Sequence, residues 1–412
     1  MVENTSDLSR TKNEAVSVNL EKYTDKYFLR AYEILKKDNL NPYVRAQVFV
    51  RKGPGFISGM SEVVSFILNN SDLIKNGGRI YALSDGETYS PLETILMIEG
   101  HVLDIIRLET IYLGMISSAL AIKNDNRKLD FNQIENNMKQ IVSAAGGRPV
   151  TYFGARHWHY SEDEKISKAA ISGGAAGAAT DAGAVFAGQK GVGTIPHALE
   201  NIYAWKFGKE NAVLKSTLAF DKYMPKDISR IALIDYNNRE IDDTLCVAKS
   251  VSSLFAIRVD TCGENVAQGA LSFSDFENKS KKEKDEMIRQ FFNLPAPIEI
   301  PLDDEIYWFG TGVSISEVYV LRKALNDNGF SRIQIMLSSG FGKLEKINAF
   351  SAAEKMLGIK LYDSLGVGGI YESRDATMDI VAVGNSLADM VPVSKIGRME
   401  RPNPRLKFIH PK

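Results

Sequence analysis

Two arginines, two aspartates, one histidine and two glycine-rich turns stand out in this chain because of where they fall. In order they are Arg156, Thr194 with His197, Asp235, Arg258 with Asp260, Ser338-Ser339-Gly340, and Gly366 with Gly368 and Gly369. Each group follows an apolar run or a breaker, and together they suit one kind of ligand. Glycine turns let backbone N–H groups approach a phosphate closely. Arginine offers a planar fork to carboxylates and phosphates. Carboxylates beside them can hold sugar hydroxyls or magnesium. The set therefore points to an anionic sugar phosphate. Taken singly, each member has a plainer reading. An arginine at a strand end often makes a surface ion pair, and a Gly-x-Gly turn is often only a turn. A histidine beside Pro196 is often structural, and Asp260 can simply cap a helix. The functional reading rests on the whole set falling at one end of successive strands.

The elements that must carry these residues form two rhythms. Before about residue 146 the pattern predicts a helix over 23–37, short strands over 44–50, 80–83 and 94–98, and a long helix over about 100–122. After it, apolar runs at 150–153, 231–234, 254–259, 333–337 and 361–365 alternate with helical stretches. Several runs are almost continuously apolar, as strands buried on both faces tend to be. Ser314 and Glu317 form a capping-box pattern, and 344–357 reads as a second helix. Strands alternating with helices argue for a parallel sheet, and the repeated unit favours a (β/α) barrel. In such a barrel the strand C-terminal ends carry the site. The stretch 275–287 is charged and poorly periodic and reads as an exposed insertion. The stretch 172–193 is rich in Gly and Ala and reads as a tightly packed helix, or as a turn approaching a ligand. After about residue 376 a strand over 378–383 leads into a turn-rich tail that returns to the first domain.

Composition excludes several classes. The chain has 412 residues, 44% hydrophobic and 25% charged, with a formal net charge of -1. Neither nucleic acid nor a membrane surface is called for as a bulk partner. The stretch 94–122 is the nearest approach to a membrane span, and its Glu99, His101, Asp104, Arg107 and Glu109 assign it to a buried helix. Cys246 and Cys262 make neither a disulfide framework nor a zinc site, and with a polar first 19 residues they fit the cytoplasm. His157 and His159 fall short of a metal site without further ligands.

The order of the motifs resembles the nicotinate phosphoribosyltransferases, particularly their shorter archaeal and bacterial forms. The resemblance begins at Tyr23-Thr24-Asp25-Lys26-Tyr27-Phe28 and continues through Phe153-Gly154-Ala155-Arg156 and Gly193-Thr194-Ile195-Pro196-His197. It then runs through Leu233-Ile234-Asp235-Tyr236, Arg258-Val259-Asp260-Thr261, Leu337-Ser338-Ser339-Gly340 and Gly366-Val367-Gly368-Gly369, spanning about residues 23–400. It implies an α/β fold in which an irregular (β/α) barrel joins an α/β sandwich domain built from the N-terminal segment and the C-terminal tail. The implied divisions are a loose tail 1–20, a sandwich domain 21–145, a barrel 146–375 and a C-terminal return 376–412.

The resemblance also implies a reaction. Nicotinate attacks 5-phosphoribosyl-1-pyrophosphate, and nicotinate mononucleotide and pyrophosphate leave. Magnesium rides mostly on the pyrophosphate, with no certain protein ligand. ATP serves as co-substrate through a phosphohistidine. By position His197 matches the phosphorylated histidine, and Asp235 would orient its ring or help bind magnesium. Arg156 and Arg258 would grip the nicotinate carboxylate and the phosphates. Tyr27, from a neighbouring subunit, would stack on the pyridine ring. Thr194 belongs to the Gly-Thr-x-x-His element, Asp260 would hold the ribose hydroxyls, and Ser339, Gly340, Gly368 and Gly369 would cradle the 5-phosphate. A homodimer or higher homo-oligomer with a shared site is implied.

The chain departs from the family at several points. Ser338-Ser339-Gly340-Phe341-Gly342 lacks the acid that often follows, and Gly369 replaces a threonine. Thr261-Cys262-Gly263 follows the Arg-x-Asp motif, and His157 stands where a second arginine is common. No cysteine-rich zinc knuckle is present, so no structural zinc is expected. Two alternatives stay open: the same chemistry on nicotinamide or quinolinate, or a non-catalytic pyridine-nucleotide-binding protein.

Overall fold

The computed structural model describes residues 19–410. Most of the expected loose tail, residues 1–18, therefore lies outside the described residues.

One sheet is antiparallel and draws on both ends of the chain. Its strands run in the order Val391–Pro392, Ala376–Gly384, Tyr43–Val50, Thr94–His101, Arg79–Ala82, Lys407–Phe408. Ala376–Gly384 pairs with the whole of Tyr43–Val50, so the C-terminal tail does return to the N-terminal segment. One face of Tyr43–Val50 carries Val44, Ala46, Val48 and Val50 into a core shared with helices Lys26–Lys37, Met60–Asn69 and Glu109–Asp125. Its other face carries Gln47, which donates to the carbonyl of Met399 and accepts from the N–H of Arg401. The tail thus covers the second face, which is why this strand is buried along almost its whole length.

The second sheet is wholly parallel. Its order is Gly177–Ala178, Val150–Tyr152, Ser364–Val367, Gln334–Leu337, Leu254–Val259, Arg230–Leu233. Among the described residues no pairing joins its first strand to its last, so it is a half-barrel. Helices connect the strands, and a second core fills the space between helices and sheet. Ser314 and Glu317 make the expected capping box at the start of helix Ile315–Asp327. Helix Leu344–Leu357 is also as expected.

Five local expectations are corrected. The strand predicted to end at residue 98 runs on to His101, because Gly100 pairs with Val44 and packs on Leu73. The long helix is accordingly broken into Val102–Ile105, a 3-10 turn Ile106–Leu108, and Glu109–Asp125. The last parallel strand is Ser364–Val367, since Glu354 accepts from the Leu361 N–H and Arg322 ion-pairs with Asp363, holding the preceding residues as a turn. The charged stretch 275–287 is not irregular: Ser280 and Glu283 form a capping box that starts helix Lys281–Phe291. The small-residue stretch 172–193 is not a long helix. It holds the strand Gly177–Ala178, the helix Asp181–Ala184 capped by Thr180, and the 3-10 turn Val185–Ala187.

The span Val102–Asp125 is long and apolar enough to cross a membrane by length and composition. In the structure 83% of its most apolar window is buried in the protein, as a core helix would be.

Candidate active site

Because the six strands are parallel, their C-terminal ends lie along one edge. Most of the residues singled out in the sequence follow one of them, while Arg258 and Gly366 lie within the last residues of two strands. Arg156 follows Val150–Tyr152, Asp235 follows Arg230–Leu233, and Asp260 follows Leu254–Val259. Ser339 and Gly340 follow Gln334–Leu337, and Gly368 and Gly369 follow Ser364–Val367. His197 opens helix His197–Phe207, reached from the edge strand Gly177–Ala178 through helix Asp181–Ala184, a 3-10 turn and the irregular segment 190–196.

His197 and Asp235 form the centre. His197 Nε2 lies 2.9 Å from Asp235 Oδ1. The ammonium of Lys395 donates to Asp235 Oδ2 and, at 3.1 Å, to the carbonyl of Asp260. Asp235 and Lys395 are both buried. Burial alone would raise Asp235, but Lys395 and His197 override it and hold the carboxyl well below the usual carboxylate range. Burial and then the charge of Lys395 lower His197, against the pull of Asp235, so its imidazole is neutral near pH 7. Glu200, three residues along the helix, places Oε2 4.0 Å from His197 Nε2. Neither Glu200 oxygen has a hydrogen-bond partner, and burial raises its carboxyl well above the usual range.

Arg258 is buried and donates from Nη2 to the carbonyl of Ile195 at 3.3 Å, which ties strand Leu254–Val259 to the segment before His197. Its Nε has no partner. Thr194 is buried, and its hydroxyl donates to the same carbonyl at 3.3 Å. Asp260 accepts from the Ser338 hydroxyl at 3.0 Å.

A second group gathers around Arg156. Its Nη1 lies 3.8 Å from Glu109 Oε1. Asp25 Oδ2 accepts from the Tyr27 hydroxyl at 3.0 Å and the Thr110 hydroxyl at 3.1 Å. Burial raises both Asp25 and Glu109, and each keeps one oxygen without a partner. Tyr27 is packed into its own chain, only 8% exposed, with the Gly193 backbone against it. Tyr27 thus stands with Asp25 and Thr110 in the group around Arg156 of its own chain. A β-carbon at Gly193 would stand 2.9 Å from the Tyr27 backbone nitrogen, so only glycine allows the segment before His197 to pass this close to the start of helix Lys26–Lys37.

The two glycine turns touch. A β-carbon on Gly342 would fall 2.2 Å from the Gly369 carbonyl oxygen, so only glycine permits the contact. Ser339 and Gly340 both adopt left-handed backbone, with φ 67° and 83°. Gly369 faces open space. A cleft of about 410 Å³ opens beside the turns, lined by Lys343, Gly342, Gly369 and Tyr371 on one side and by helix Phe131–Ala144 on the other.

Sequence reasoning missed Lys395, Glu200, Glu109 and Lys346. Glu200 carried a signal, since three residues from His197 is one helical face. Lys395 carried none, because long-range strand pairing alone brings the tail to Asp235.

Together these features make an α/β half-barrel, with a cluster of polar and charged residues at its strand ends, joined to an antiparallel sheet built from both ends of the chain. Residues 25–120 match the family described as the quinolinate phosphoribosyl transferase N-terminal domain. The whole fold is that of solved nicotinate phosphoribosyltransferases. The Porphyromonas gingivalis structure of that name is 15% identical, with a TM-score of 0.54, over 92% of this chain and 93% of its own. The one from Vibrio cholerae is 14% identical, with a TM-score of 0.54, over 92% and 87%. A nicotinate-nucleotide pyrophosphorylase from Pyrococcus furiosus is 25% identical over 97% and 86%, with a TM-score of 0.41.

Proposed function

We propose that the chain transfers a phosphoribosyl group from 5-phosphoribosyl-1-pyrophosphate to nicotinate, in salvage of the pyridine ring for NAD. The observation that carries this reading is the His197–Asp235–Lys395 network standing at the same sheet edge as Arg156, Arg258 and the two glycine turns. The pyridine nitrogen would donate its lone pair to the anomeric carbon as the bond to the pyrophosphate oxygen breaks, and pyrophosphate would leave with that electron pair. Charge on the sugar rises as the leaving group departs, so catalysis is mainly positioning and electrostatic stabilisation. Arg156 would hold the nicotinate carboxylate beside Tyr27, Asp260 the ribose hydroxyls, and Ser339, Gly340, Gly368 and Gly369 the 5-phosphate.

ATP coupling belongs to the same proposal. A neutral imidazole is a competent nucleophile at neutral pH, and the Asp235 contact leaves Nδ1 as the ring nitrogen able to take the terminal phosphoryl group, with ADP leaving. Magnesium is assigned to the substrate pyrophosphate. Both Asp235 oxygens are engaged by His197 and Lys395, and among the described residues no three His, Cys, Asp or Glu side chains could hold a metal.

The two sheets support domain divisions near residues 145 and 375, although the cores cross the first of them: helix Phe131–Ala144 packs into the parallel-sheet core and the segment 195–220 contributes to the antiparallel-sheet core. A cytoplasmic homo-oligomer is part of the same reading. Nicotinamide is the second reading, because Glu109 Oε2, unpartnered beside Arg156, could accept from a carboxamide. Purified protein with magnesium and 5-phosphoribosyl-1-pyrophosphate, offered nicotinate, nicotinamide or quinolinate in turn, tests the choice. Fastest mononucleotide formation with nicotinate supports the proposal. Preference for either other base replaces the substrate, and no product with any of the three removes the reaction.

A further inference from the structure

Lys346 lies in the first turn of helix Leu344–Leu357, beneath the Ser339–Gly340 turn. Its side chain is 9% exposed. The ammonium donates to the Ser339 carbonyl at 3.2 Å and sits 4.4 Å from the centre of the Phe341 ring. It lies 3.6 Å from where a β-carbon on Gly340 would stand. Among the described residues no carboxylate comes within ion-pair distance of it. A lysine ammonium has three donors, and the structure records an acceptor for one.

A buried cation without a counter-ion is costly in a folded protein unless a ligand supplies the charge. Here the missing charge coincides with a turn where Ser339 and Gly340 are both left-handed, and where Gly342 and Gly369 lock a second turn against the first. We infer that Lys346 is a binding residue for a phosphomonoester group held at the Ser339–Gly340 turn.

The assignment rests on the phosphoribosyl-transfer reading for the identity of the sugar phosphate, but not for the binding event itself. Burial lowers the Lys346 ammonium to about 8. Asp260 and Glu317 oppose the shift, and Lys343 adds to it; these are the charged groups that act on it from the neighbouring strand end, helix and turn. A phosphate dianion brought against the ammonium restores the charged form.

The test uses the full chain and inorganic phosphate as probe. Calorimetric titration at about pH 8.5, in buffers of different ionisation enthalpy, reads both affinity and proton uptake, and free phosphate is already a dianion there. Wild type should take up a fraction of a proton on binding. Lys346→Met should lose that uptake and roughly ten- to a hundredfold in affinity, the range of a charged hydrogen bond. Lys346→Arg should keep binding and lose the uptake, because its charge does not titrate. Wild-type binding without uptake, or a Met variant indistinguishable from wild type, overturns the inference. If Lys346→Met does not fold, wild type and Lys346→Arg decide it. A protein that binds phosphate with this linkage yet makes no pyridine mononucleotide keeps the subsite and loses the reaction.

Discussion

His197 and Lys395 sit on opposite oxygens of one buried carboxylate, Asp235. One arrives on a helix from the parallel sheet, the other on the C-terminal segment that follows strand Ala376–Gly384. The tail therefore sets the charge state of the imidazole. Lys395 lowers His197, so Lys395→Met should raise its pKa, with less neutral ring at pH 7. Removing one partner of a buried ion pair should also cost about 3–5 kcal/mol of stability. Titration of the His197 ring proton by NMR, beside denaturant unfolding, reads both. An unchanged His197 titration in a folded variant contradicts the account.

The glycine turns predict a contrast between two neighbours in space. Gly342→Ala should push the turns apart, because its β-carbon would meet the Gly369 carbonyl at 2.2 Å. Gly369→Ala meets nothing within 4 Å and should melt like wild type. Phosphate affinity should fall in both, through fold disruption in the first and crowding of the ligand in the second. Thermal melts and phosphate titrations separate the two causes.

Lys346 gives the stability curve a sign. Its folded pKa of about 8 lies below the unfolded value of 10.5, so between those values the unfolded chain binds more protons. Wild-type stability should therefore gain a contribution that rises through that window. At pH 7 the buried charge works against the fold by about 3 kcal/mol at 1.36 kcal/mol per unit. Lys346→Met should be the more stable protein at pH 7, with the gap closing toward pH 10.5. Urea unfolding across that range measures it.

Arg374 joins the end of helix Glu109–Asp125 to the approach of strand Ala376–Gly384. It makes two bonds to Asp125 at 2.8 and 2.9 Å, one to the Tyr89 hydroxyl at 2.7 Å and one to the Pro54 carbonyl at 3.0 Å. Hydrogen bonding from Arg374, with help from Lys52, holds Asp125 well below the usual carboxylate range. This contribution is present above the unfolded carboxylate pKa and is lost as pH falls through the folded value. Arg374→Leu should lower stability at neutral pH and flatten its acid dependence. An equal loss at every pH contradicts the ion-pair assignment.

Much of this arrangement was legible in the sequence because it depends on local pattern. Apolar runs ending in Asp, Arg, Ser or Gly located five of the parallel strands and put Asp235, Asp260 and the glycine turns at their ends. The tail's return to the first sheet also followed from its strand pattern. What escaped depends on tertiary contact. The break at His101–Leu108 arises from sheet pairing at Gly100, and it places Glu109 at the head of its helix beside Arg156. The close pass of the Gly193 backbone by the Tyr27 backbone is likewise a contact between distant segments. Lys395 lies in a turn-rich segment, and nothing local marks it as the partner of a residue 160 positions away.

The central claim is phosphoribosyl transfer to nicotinate, and its most direct test is product chemistry. Purified protein, magnesium, 5-phosphoribosyl-1-pyrophosphate and nicotinate should yield nicotinate mononucleotide and pyrophosphate one for one by chromatography. ATP should accelerate the reaction in wild type and leave His197→Ala unaffected. Absence of nicotinate mononucleotide from a folded wild-type protein, with and without ATP, contradicts the account.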